Sequence, residues 1–203
     1  MAKIITFEGV DYSGKSTTFA HLAKKHAKKQ DLVFNEGPIY PNELTARLFA
    51  IANQANEQER EFLYTMIFAQ DAIESALNHS QDYRIFIQDR YWPIVLAYGR
   101  FLNTNKSIHN LQDFRRLFIT PAATIHFCCS YEERIIRSKK RERKSVLDSL
   151  LLGDPAQFRR LEVEVERALE GLPNTLKIDT VNKNVEEVAG EIEDYLAILN
   201  LFK

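Results

Sequence analysis

The chain has 203 residues, 45% apolar and 27% charged, with 27 Lys and Arg against 28 Asp and Glu for a net charge of −1. That size and composition fit one globular domain with a large core, and exclude a disordered, collagen-like or disulfide-held chain. The balanced charge excludes a global basic field, so no nucleic acid or anionic membrane is expected as a partner.

The first element is a strand over Lys3–Glu8, which begins almost at once and is too short for a secretory core. No stretch approaches the ~18 apolar residues of a membrane span. Further strands are expected over Asp31–Phe34, Arg84–Gln88, Thr124–Cys129 and Thr175–Ile178. Most are nearly continuous β-branched or aromatic runs, as in a parallel sheet covered on both faces. Cys128 and Cys129 are the two cysteines and are adjacent, so they neither staple the chain nor form a thiolate zinc site. They read as small apolar residues kept reduced, and the expected location is the cytoplasm.

Helices lie between the strands. One is expected over Ser16–Lys29 with Phe19, Leu22 and Ala23 inward. Ser130 to Glu133 fits a capping box, Asp154-Pro155 an N-cap followed by proline, and Asn184 with Glu187 a second box. The order β-α-β-α-α-β-α-α-β-α-α-β-α predicts an α/β fold with a doubly wound, five-stranded parallel sheet flanked by helices. Residues 1–203 form one domain in this reading. Ligands of such sheets sit at the carboxyl ends of the strands.

Directly after the first strand comes Gly9-Val10-Asp11-Tyr12-Ser13-Gly14-Lys15-Ser16, a complete G-x-x-x-x-G-K-[ST] element. Such a loop turns its backbone N–H groups toward phosphate oxygens, and the following helix adds its positive end. Lys15 is suited to the β/γ-phosphates and Ser16 to Mg²⁺. The guanine-reading N-K-x-D element is broken, because Val185 follows Asn182-Lys183-Asn184. A D-x-x-G switch element is also missing near the third strand. A small-molecule kinase fits better than a GTP switch.

Phe7-Glu8-Gly9-Val10-Asp11 leading to Gly14-Lys15-Ser16-Thr17, then Asp89-Arg90-Tyr91 followed by Ala97-Tyr98, resembles the thymidylate kinase family over nearly the whole chain. The resemblance implies a P-loop kinase that uses ATP and Mg²⁺ to phosphorylate a pyrimidine deoxynucleoside monophosphate. Donor phosphates would lie against Gly9, Asp11, Tyr12, Ser13, Gly14, Lys15, Ser16 and Thr17. Ser16 and Asp89 would serve the metal, and Arg90 the acceptor phosphate. Phe68 would stack on the acceptor base, Tyr98 would pack under the sugar, and Asp11 would lie near both sugar and metal. A homodimer through helices after the second and third strands is implied as well.

Residues 132–145 carry seven basic and three acidic side chains, +4 net. They are similar to the family's lid, placed at about 137–150. In that family an arginine at the position of Tyr12 can stabilise the transferring phosphoryl, and forms without it use lid arginines, so the resemblance implies this role for Arg137, Arg141 or Arg143. The acceptor side departs from the family pattern. The segment Phe34-Asn35-Glu36-Gly37-Pro38 lacks the family's arginine, with Arg47 a possible stand-in, and Ala72 stands where a base-reading arginine is expected. The alternative reading is a deoxynucleoside kinase with Glu36 as the base that activates a neutral 5′-hydroxyl.

Overall fold

The computed structural model describes residues 1–78, 82–102, 118–140 and 146–202. The five strands are β1 Lys3–Glu8, β2 Leu32–Asn35, β3 Ile85–Asp89, β4 Ala123–Cys128 and β5 Thr175–Asp179. They form one sheet in the order β2-β3-β1-β4-β5, and every pair is parallel. Each strand end falls within one residue of the sequence expectation. β2 starts one residue late, and Asp31 just ahead of it accepts the Ile85 N–H at 2.8 Å.

Among the described residues there are eight helices: α1 Lys15–Lys25, α2 Glu43–Ala52, α3 Glu57–Asn78, α4 Trp92–Phe101, α5 Tyr131–Ser138, α6 Val146–Gly153, α7 Pro155–Leu169 and α8 Val185–Ile198. α1 is shorter than expected because His26 leaves helical geometry at φ −103°. Three helices, not two, follow β4. α6 and α7 are separated at Asp154-Pro155, where proline lacks an N–H and the Asp154 carboxylate accepts the Ala156 N–H at 2.8 Å.

The caps divide by local competition. Asn184 and Glu187 form the full reciprocal box at the start of α8, with bonds of 2.9 and 2.7 Å. At α5 half of the expected box forms. Ser130 accepts the Glu133 N–H at 3.2 Å, but the Glu133 carboxylate turns to Arg137 at 2.7 Å.

Alternation along the strands separates two cores. Ile5 and Phe7 of β1, Ile87 of β3, and Ala123, Ile125 and Phe127 of β4 join Phe19 and Leu22 of α1 and Val188 and Ile192 of α8. Ile4 and Phe86 face the other way, toward α3, α4 and α7. On that second face the strands also bury Thr6, Glu8, Gln88, Thr124 and His126. One face is therefore apolar to its carboxyl edge, while the other ends in a polar layer. Asn184→Ala should lower stability by ~1 kcal/mol, read from the urea midpoint, because it removes the side-chain oxygen that accepts the Glu187 N–H.

Candidate active site

β1 ends at Glu8, and the chain turns at Gly9 with φ 148°. A Cβ there would meet the Phe127 carbonyl oxygen at 2.6 Å, so glycine is required for the loop to lie this close to β4. Tyr12 adopts a left-handed conformation at φ 66°, and Gly14 follows at φ 89°. The loop opens on a cleft of about 330 Å³ that runs from Val10 to Thr17 and is faced by Arg137 and Lys140. Ser16 and Thr17 are exposed there, at the positive end of α1.

Two ion pairs cross between β1 and β3. Lys15 is buried, and its Nζ contacts the Asp89 carboxylate. Burial, and next the Arg90 guanidinium, lower the Lys15 pKa below the usual lysine range, while Asp89 opposes them. Arg90, half-buried, contacts Asp11 Oδ1. The Asp11 carboxylate holds the Arg90 guanidinium firmly charged. The Tyr98 hydroxyl donates to Asp11 Oδ2 at 3.3 Å, and the Arg90 guanidinium carbon lies 5.9 Å from the Tyr98 ring centre. Burial, and then Asp11, push the Tyr98 phenol up, so it remains a hydrogen-bond donor. Arg90 is also left-handed, at φ 67°, and its N–H donates to the Phe7 carbonyl at 3.0 Å.

α5 is anchored to the back of the phosphate loop. Arg137 donates to the Tyr12 carbonyl at 3.2 Å, to Thr180 Oγ1 at 2.9 Å and to the Thr180 carbonyl at 2.8 Å. Thr180 passes its own hydroxyl hydrogen to the Ser13 carbonyl at 2.8 Å. One turn earlier, Arg134 is buried, contacts the Asp11 carbonyl, and sits 4.3 Å over the Phe158 ring.

The structure thus brings together Gly9 to Thr17, Asp89, Arg90, Tyr98 and Arg137. Phe68 is only 7% exposed and lies edge-on to Tyr91 at 6.1 Å, inside the core of the second face. Glu36 is exposed on the loop after β2, and Arg47 is an exposed α2 residue paired with Glu43. Arg141 and Arg143 lie outside the described residues. Burial pushes the Cys128 thiol up to about 12 and the Cys129 thiol to about 11, which makes neither a nucleophile at neutral pH.

The residues missed in the sequence are Glu8, Gln88, Arg134 and Thr180. The clearest signal was Glu8, a carboxylate at an inward strand position. It is fully buried, and its Oε1 accepts the Tyr91 N–H at 3.0 Å and the Thr6 hydroxyl. Burial raises its pKa to about 8, against the opposing effects of the Thr6 bond and Lys15.

The chain matches the family profile described as thymidylate kinase over residues 7–192. It belongs to the thymidylate kinase family. It is thereby an ATP-dependent phosphotransferase of the nucleoside monophosphate kinase class. A probable thymidylate kinase of Methanococcus aeolicus is 27% identical over 95% of this chain and 94% of its own length. The thymidylate kinase of Staphylococcus haemolyticus is 22% identical over the full length of both. Two solved structures share the fold at 17% identity. That of Ehrlichia chaffeensis thymidylate kinase has a TM-score of 0.67 over 96% of this chain and 98% of its own. That of Candida albicans thymidylate kinase has a TM-score of 0.64 over 100% and 94%.

The Glu8 carboxyl carries a pH signature. Its ordinary pKa of 4.5 applies in the unfolded chain, against about 8 in the fold. Between those values folding takes up a proton, so this group makes stability fall as pH rises through that window. Glu8→Gln removes the loss and keeps an acceptor for Tyr91. In urea denaturation, its stability relative to the parent should increase from about pH 5 to about pH 8. A pH-independent difference would show that Glu8 is not held protonated.

Proposed function

We propose that the chain transfers the γ-phosphoryl group of ATP to dTMP, with the acceptor phosphate on Arg90. The observation that carries this reading is the crossed placement of two cations at one sheet edge. Lys15 at the start of α1 sits against Asp89 of β3, and Arg90 after β3 sits against Asp11 of the β1 loop. Two polyanions must approach each other for phosphoryl transfer, and catalysis is mostly positioning and charge stabilisation. In this reading Lys15 and the loop amides hold the donor. Arg137, which already spans the loop and Thr180 just after β5, adds charge that Tyr12 does not supply.

Magnesium fits the oxygen donors present. Ser16 is exposed in the cleft and Asp89 lies at the end of β3. Among the described residues no group of three or more His, Cys, Asp and Glu is placed to hold a metal unaided. A Mg²⁺ held chiefly by nucleotide phosphates needs only one or two protein oxygens. Ser16 and Asp89 would supply them, and the ion would neutralise charge on the phosphates.

Exposed apolar side chains on α2 and α3, both after β2, including Leu44, Ile51, Phe62, Met66, Ile73 and Leu77, support the β2 part of the expected homodimer contact, whereas α4, after β3, is buried apart from Arg100. Ile51 and Phe62 line a groove of about 730 Å³ between them. No helix among the described residues is long and apolar enough to cross a membrane.

An ADP-release assay with dTMP, dUMP, dCMP, thymidine and deoxycytidine tests the acceptor. Turnover should be highest with dTMP; turnover with thymidine but not dTMP would instead favour Glu36 acting as a base on a nucleoside. Lys15→Met should lower kcat by roughly 10²–10³-fold, because it removes a cation aimed at developing phosphate charge. Near-normal turnover in that variant would overturn the donor assignment.

A further inference from the structure

We propose that Asn35 and Gln88 form an amide bracket that aims Arg90 at the acceptor phosphate. The inference rests on the acceptor role given to Arg90 above, and it adds two positioning residues.

Gln88 is the penultimate residue of β3. It is fully buried, on the polar face that also carries Thr6 and Glu8. A neutral amide in the interior must use its donors and its acceptor. Gln88 uses both. Its Oε1 accepts from Asn35 Nδ2 at 2.8 Å, and its Nε2 donates to the Gly37 carbonyl at 2.7 Å and the Arg90 carbonyl at 2.9 Å. Asn35, paired with Gln88 across β2 and β3, also donates to the Gly37 carbonyl at 2.5 Å and the Pro38 carbonyl at 3.0 Å.

Two consequences follow for the acceptor site. Arg90 is left-handed, a conformation that a β-carbon strains and that persists only when its surroundings hold it. Its N–H is held by β1 at Phe7, and its carbonyl by Gln88. With both backbone groups fixed, the side chain leaves toward Asp11 and the phosphate loop. Moreover, the carbonyl oxygens of Gly37, Pro38 and Arg90 are engaged by the amide pair. They are dipoles that would repel a phosphate if they were turned toward it. The loop after β2 lacks an arginine, so Arg90 carries the acceptor charge with less help, and its aim matters more.

The test is steady-state kinetics with ATP and dTMP on Gln88→Met, which keeps length and removes the hydrogen bonds, and on Asn35→Ala. Each should raise KM for dTMP about ten-fold while KM for ATP stays within about two-fold. The double variant should be no worse than the poorer single variant, because the residues act as one unit. Asn35 is half-buried at the end of β2 and carries the test if Gln88→Met does not fold. Equal rises in both KM values, or a lower Tm with unchanged KM for dTMP, would overturn the proposal; so would independent, multiplying effects. Arg90→Ala, assayed alongside, separates the two levels. An unchanged KM for dTMP in that variant overturns the acceptor reading together with the bracket. A raised KM there with no change in Gln88→Met and Asn35→Ala overturns the bracket alone.

Discussion

The parallel pairing of Phe7 with Asp89 is the constraint on which the site depends. It places the end of β3 beside the loop that leaves β1, so each segment supplies a cation and a carboxylate to the other. Burial disfavours the charge on Lys15, and the Asp89 carboxylate offsets part of that penalty. The proximity also has a cost, since Arg90 helps to lower the Lys15 pKa while Asp89 restores part of it. In the proposed function, the negative charge of bound nucleotides adds to a balance that the protein has already struck with its own carboxylates.

The sheet's unequal faces extend this logic. The α1 and α8 side is hydrocarbon up to the carboxyl edge, which gives the phosphate loop a rigid floor of Phe7, Phe19 and Phe127. The α3, α4 and α7 side buries Thr6, Glu8 and Gln88. Those polar groups hold the backbone from Asp89 to Tyr91, with Glu8 taking the Tyr91 N–H and Gln88 the Arg90 carbonyl. In the proposed function, the donor side is shaped by backbone geometry, and the acceptor side by side-chain hydrogen bonds. The first needs only the short run Gly9 to Ser16, whereas the second needs Asn35 and Gln88 from two strands brought side by side.

Features written in short range were legible in the sequence. The strands lay within one residue of their expected ends, the Asn184 and Asp154 caps formed, and the phosphate loop took its place between β1 and α1. What was hidden depended on contacts between distant segments. Gln88 reads as an ordinary strand residue until β2 brings Asn35 beside it. Arg134 looks like one more charge in a basic run, yet it is buried against Phe158 of α7. Glu133 fitted a cap by spacing, but Arg137 one turn on offered a closer charge. Phe68 illustrates an ambiguity that a helical apolar stripe does not settle, because the same spacing serves a core and a pocket wall.

Among the described residues, five other than glycine have positive φ, namely Tyr12, Arg90, Asn174, Asn182 and Asn200. Three are asparagines, which tolerate that geometry best outside glycine. The two exceptions flank the Asp11 carboxylate, one in the phosphate loop and one after β3. Pressure for thermal robustness alone would favour glycine or asparagine at both places. At Arg90 such a replacement would relieve the backbone but remove the guanidinium that meets Asp11, so easing the chain there and keeping its charge are competing demands on one position.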